Sequence, residues 1–111
     1  MAISVEIVHS GRALVLKVLA DSLETDNVAA FRSAIIPMLD KSAHFVIDLS
    51  DVEFMDSTGL GSMLSCLRIV KSKGGSLRLC NLTPEVEQLF EMVMMDRVFE
   101  IFPTTEAALA K

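Results

Sequence analysis

Ser57 stands where hydroxyl, carboxylate and glycine fall side by side, in the run DLSDVEFMDSTGLG over residues 48–61. This run joins an apolar segment, HFVIDL at 44–49, to a segment whose apolar residues recur at helical spacing from Leu60. In open α/β sheets, ligand and partner sites gather at the carboxyl ends of strands. Ser57 falls where the helix begins, so its hydroxyl can accept from the free N–H groups of the first turn. A phosphate on Ser57 would meet the positive end of the helix dipole and those same donors. It would also add a charge of about −1.5 to −2 to the surface. Gly59 and Gly61 remove side chains from the same turn, which lets another backbone or a phosphate come close. The residues alone leave two readings open: Ser57 as a modified surface residue, or Ser57 as a plain helix cap.

Other chemistries lack their residues. Asp48, Asp51, Glu53 and Asp56 suggest an acidic metal pocket or phosphoacceptor, but Val52, Phe54 and Met55 interrupt them and no acid pair follows the first strand. His9 and His44 are isolated and read as surface or strand-end residues. Ser57 has no evident histidine base, and there is no glycine-rich loop with a lysine for nucleotide phosphates. The expectation is therefore a protein that is not an enzyme and carries no metal or cofactor of its own. Cys66 and Cys80 sit in apolar patterns and read as buried thiols. Met92, Met94 and Met95 read first as core filling and second as an adaptable partner-binding patch.

The elements that must position Ser57 follow from periodicity. Ile3, Val5 and Ile7, then Leu14, Leu16 and Val18, alternate with other residues around the turn Ser10-Gly11-Arg12, which predicts a hairpin or a pair of adjacent strands. Thr25, Asp26 or Asn27 can cap a helix carrying Val28, Phe31, Ile35, Met38 and Leu39, loosened at Pro37. Residues 44–49 read as a strand buried on both faces. Residues 51–58 read as a polar connection. Leu60, Met63, Leu64, Leu67 and Val70 mark the next helix, stopped by Gly74-Gly75. Leu77 and Leu79 alternate as a strand. Thr83 caps and Pro84 opens a third helix with a stripe of Val86, Leu89, Phe90, Val93 and Met94. A short strand over 98–102 and a last short helix from Thr104 complete the chain. The order predicts one α/β domain over 1–111, with a mainly parallel sheet of about five strands, an antiparallel N-terminal edge strand and about four helices.

Composition narrows the partners. The 111 residues are 51% apolar and 23% charged, which suits a globular domain. The net charge of −5, with scattered basic residues, points away from direct nucleic-acid binding. The absence of Trp and Tyr removes the usual stacking anchors. The N-terminal segment lacks the basic start and long apolar stretch of a secretory signal, and there is no membrane-length apolar run. A cytoplasmic location is expected.

The segment from Phe54 to Gly61, FMDSTGLG, closely resembles the signature of STAS-domain anti-sigma factor antagonists. The likeness continues through KGGSLRL at 73–79 and LTPEV at 82–86, ending near Leu89-Phe90. It implies the STAS fold. It also implies that Ser57, the serine directly after Asp56, is phosphorylated by an anti-sigma factor that is also an ATP-dependent serine kinase. The unmodified protein would bind that factor and release a sigma factor; phosphorylation would end binding, and a PP2C-type, metal-dependent serine phosphatase would reset it. Partner contact would fall on Asp56, Thr58, Gly59, Gly61 and Glu24. One loop departs from the pattern: many members carry Gly-Glu-Leu-Asp or a close variant where this chain has Asp21-Ser22-Leu23-Glu24. The alternative is a non-switching STAS subunit of a signalling scaffold or lipid-transport complex, in which Ser57 only caps a helix.

Overall fold

The computed structural model describes residues 4–11 and 13–110. The alternation at the start of the chain forms β1 (Ser4–Ser10) and β2 (Ala13–Leu19), paired antiparallel from Ser4 opposite Leu19 to Ser10 opposite Ala13. Ile3, Arg12 and the His9 side chain lie outside the described residues. Two two-residue strands follow in the chain, β3 (Ser22–Leu23) and β5 (Phe54–Met55). Between them lie α1 (Val28–Ile35) and β4 (His44–Asp48). After β5 come α2 (Ser57–Ser72), β6 (Ser76–Cys80), α3 (Pro84–Met92), β7 (Glu100–Phe102) and α4 (Thr105–Leu109). The main sheet has the order β1-β2-β4-β6-β7, and every pair after the first hairpin is parallel. The expected α/β architecture, with its antiparallel edge strand, is the one observed.

Period-two alternation decides what each strand buries. Leu14, Leu16 and Val18 of β2, Phe45 and Ile47 of β4, and Leu77 and Leu79 of β6 share one face of the sheet. Against that face pack Phe31 and Ile35 of α1, Met63, Cys66, Leu67 and Val70 of α2, and Val86 and Phe90 of α3. Val15, Val46 and Cys80 project to the other face, where Ala108 of α4 covers them. This two-sided burial explains why residues 44–49 read as a nearly unbroken apolar run.

The structure corrects several local readings. The stretch 51–58 is not wholly a connection. Within it, β5 pairs parallel with β3 in a second sheet, Ser22 opposite Phe54 and Leu23 opposite Met55. Two residues are too few to show a period; Leu23 and Met55 form strands here because both side chains are anchored in the core. The loosening expected at Pro37 is observed: α-helical hydrogen bonding ends there and a 3-10 turn runs over Ile36–Asp40, since proline lacks the N–H that a longer α-helix needs. Thr83 holds the N-cap position of α3 but does not cap; its hydroxyl donates to the Val52 carbonyl at 2.7 Å. The stripe of α3 ends earlier than its sequence suggests. Met92, Val93 and Met94 are exposed, and Met94 turns the chain at φ 62. Met92 lies about 200° around the helix from Phe90, on the side away from the core. Met95 alone of the three methionines packs against the core cluster.

The two thiols are buried, as their apolar patterns indicated. Desolvation pushes Cys66 up to about 11 and raises Cys80 as well, so neither is a thiolate at neutral pH. His44 begins β4 half-buried, with its Nδ1 2.8 Å from the Ser76 hydroxyl.

Candidate functional site

The parallel pairing of β5 with β3 delivers residue 56 to the start of α2. Asp56 keeps extended backbone angles, φ −100 and ψ −177, and the helix begins one residue later. Its Oδ1 accepts the Gly59 N–H at 2.8 Å. Asp56, not Ser57, is therefore the cap of α2. Ser57 takes the first helical position, where its side chain is exposed and makes no hydrogen bond among the described residues.

The second carboxylate oxygen of Asp56 ties down a distant loop. Oδ2 accepts from the Thr25 N–H and from the Thr25 hydroxyl, both at 3.0 Å. Thr25 Oγ1 also lies 3.2 Å from the Thr58 hydroxyl oxygen. The backbone reinforces the link: Glu53 and Phe54 N–H groups donate to the Asp21 carbonyl, and the Asp56 N–H donates to the Leu23 carbonyl. The Gly59 N–H is the main reason that the Asp56 carboxyl is held below its ordinary value. Partial burial opposes this, while the Thr25 N–H and hydroxyl add to it.

Asn27 shapes the loop from inside. It holds the N-cap position of α1 but turns its buried amide back into the loop. Oδ1 accepts from the Glu24 N–H at 2.9 Å, and Nδ2 donates to the Ser22 carbonyl at 2.8 Å. A buried amide needs such partners. The turn so formed sets Thr25 against α2.

The two glycines, expected to act together, have separate roles. A Cβ on Gly59 would lie 2.0 Å from the Leu23 carbonyl oxygen, which belongs to β3 of the same chain. Gly59 is buried and admits the protein's own backbone. A Cβ on Gly61 would meet nothing within 4 Å, and Gly61 is exposed. The structure thus groups Ser57, Thr58 and Gly61 on the exposed start of α2, with Asp56 partly exposed beneath them and Gly59 behind. Glu24 is half-buried and adjacent to Thr25; its main chain accepts from Asn27 and Val28.

Thr25 is the residue that sequence reasoning passed over, weighing it only as a cap. Its single signal was a hydroxyl directly after Glu24, itself among the expected contact residues. Phe54, the first residue of the FMDSTGLG motif, is 54% exposed at the edge of this surface. An open groove of about 680 Å³ is lined by Leu19, Asp21, Asp51, Glu53, Thr83 and Glu85 among others, and by none of the residues around Ser57. Lys17 lies 3.9 Å from Asp51 at its rim. Among the described residues no three His, Cys, Asp or Glu side chains converge as a metal-holding group. No helix among them is long and apolar enough to cross a membrane.

Residues 4–108 match the STAS domain family. The anti-sigma-B factor antagonist of Bacillus subtilis is 31% identical over 91 residues, covering 82% of this chain and 84% of the relative. A solved anti-sigma factor antagonist from Mycobacterium paratuberculosis superposes with a TM-score of 0.83 at 25% identity, covering 98% of this chain and 92% of that one. The Bacillus cell fate determinant SpoIIAA in its phosphorylated form shares the fold, with a TM-score of 0.69 at 22% identity over 98% of this chain and 97% of that one.

Proposed function

The chain belongs to the STAS domain family, and from that premise we propose that it is an anti-sigma factor antagonist switched by phosphorylation at Ser57. The unmodified form binds an anti-sigma factor that is also a serine kinase, and a sigma factor is released. The kinase then transfers the γ-phosphoryl group of ATP to Ser57 Oγ. ADP leaves, the hydroxyl proton passes to a base on the kinase, and binding ends. A PP2C-type phosphatase hydrolyses the ester and resets the cycle. ATP and metal belong to these partner enzymes, and the antagonist itself catalyses nothing. It acts in the cytoplasm through protein contacts, not on DNA.

The observation that carries this reading is the division of labour at α2. If Ser57 were only a cap, its hydroxyl would be turned into the helix end. Asp56 fills that role instead, and the Ser57 hydroxyl is left exposed. Contact with the partner falls on Asp56, Thr58, Gly61 and Glu24 around it, while Gly59 supports the surface from behind.

The test is incubation with the cognate kinase and ATP, followed by phosphosite mapping. One phosphate should appear, on Ser57, and Ser57→Ala should take none there and bind the anti-sigma factor constitutively. Recovery of the chain in a transporter or scaffold complex, with Ser57 never modified, would favour the non-switching alternative.

A further inference from the structure

Two hydroxyls stand one residue apart at the exposed start of α2, Ser57 and Thr58. We propose that Thr25 is a positioning residue that decides which of them accepts the phosphate, by engaging the Thr58 hydroxyl and leaving that of Ser57 free. This inference rests on the phosphorylation reading above.

Thr25 Oγ1 lies within bonding distance of both Asp56 Oδ2, at 3.0 Å, and Thr58 Oγ1, at 3.2 Å. A hydroxyl has one hydrogen to donate, and an ionised carboxylate can only accept. The Thr25 hydroxyl is the donor toward both, so its one hydrogen serves the Asp56 carboxylate and the Thr58 oxygen in turn. The Thr25 N–H donates to the same carboxylate oxygen, which fixes Thr25 by main chain and side chain together. The Thr58 hydroxyl oxygen is thus engaged by Thr25, which the Asp56 carboxylate holds in place.

To accept a phosphoryl group, Thr58 must break this bond and turn its oxygen toward the γ-phosphorus. The P–O bond to ADP then breaks, the new P–O bond forms on the threonine oxygen, and the proton goes to the kinase's base. A β-branched side chain turns reluctantly about χ1. Ser57 meets neither obstacle, since its hydroxyl has no hydrogen-bond partner among the described residues.

The experiment uses the full chain, its cognate anti-sigma kinase and ATP, with the rate of Thr58 phosphorylation read by tandem mass spectrometry. Because Ser57→Ala removes the preferred acceptor, the comparison is Ser57→Ala against Ser57→Ala with Thr25→Val. The second should phosphorylate Thr58 about fivefold faster, the factor that one net hydrogen bond carries. Thr25→Ser in place of Thr25→Val should restore the slow rate. Thr25 is exposed, and circular dichroism verifies that each variant is folded; if Thr25→Val is not, Thr25→Ala replaces it. Equal Thr58 rates with and without the Thr25 hydroxyl would overturn the inference while leaving phosphorylation of Ser57 intact. A wild-type chain that takes no phosphate would overturn the phosphorylation reading itself, and this inference with it.

Discussion

Gly59 and Gly61 sit two residues apart in one helical turn and meet opposite surroundings. At Gly59 a methyl group would strike the Leu23 carbonyl at 2.0 Å, and backbone cannot swing aside as a flexible side chain can. Gly59→Ala should therefore destabilise the fold by about 1–3 kcal/mol, in the range of other overpacked sites. At Gly61 the added methyl enters open space. Gly61→Ala should stabilise the free domain by ~0.5–1 kcal/mol through helix propensity. Gly61→Val should nevertheless weaken partner binding, because its branched side chain would project from the proposed contact surface. Urea denaturation beside a binding titration checks all three; a sharp loss of stability in Gly61→Val with normal binding would make Gly61 a packing residue. Asp56 carries a pH prediction at the same scale. Its carboxyl is held below the ordinary value of 3.8, chiefly by the Gly59 N–H. A depressed acid stabilises the fold above its unfolded-state value, and that contribution is lost as pH falls through the lower folded value. Denaturation midpoints measured downward from neutral pH should show an acid-side loss that Asp56→Ala lacks.

Elements were legible in proportion to their length and periodicity. The hairpin, the buried strand at 44–49 and the helix from Leu60 are each long enough for period two or 3.6 to show, and all stand in the structure. The strands β3 and β5 are two residues each, so only tertiary contact reveals them. The same limit hid the cap. Asp56 and Ser57 are both good N-cap residues, and the choice between them is made by β5, which presents Asp56 in extended backbone. Thr25 and Asp56 are 31 residues apart, a distance at which no local pattern speaks. Thr83 shows another displaced role: its hydroxyl leaves the cap position and binds the Val52 carbonyl across a further long separation. That bond fastens the start of α3 to the loop before β5. Thr83→Val, which keeps the shape and removes the donor, should cost ~1–2 kcal/mol in stability because a carbonyl loses its partner. Thr83→Ser should cost less, and thermal unfolding of the two variants distinguishes this tie from simple propensity.

For the whole molecule, a switch must alter recognition without dismantling the domain, and the placement of Ser57 permits that. Its side chain leaves the core and the cap untouched, so a phosphate displaces no packed group. The positive helix end favours the added charge by ~0.3–1 kcal/mol at an exposed site. The neighbouring Asp56 carboxylate works against it, and its own bond to the Gly59 N–H already occupies one donor of the first turn. The free domain should therefore change little in stability on modification. Under a partner the balance shifts. A dianion that is covered must shed its water beside Asp56, and leaving a buried charge unpaired costs several kcal/mol. Since each 1.4 kcal/mol is a factor of ten, affinity for the anti-sigma factor should fall by about 100-fold or more. Ser57→Asp should reproduce part of that loss, having less charge and a different shape. Circular dichroism and calorimetry on the modified and unmodified protein, run beside a titration with the anti-sigma partner, separate the outcomes. Equal affinity of the two forms would remove the switch. Lost affinity accompanied by gross unfolding would replace this surface mechanism with one in which the phosphate acts by opening the end of α2.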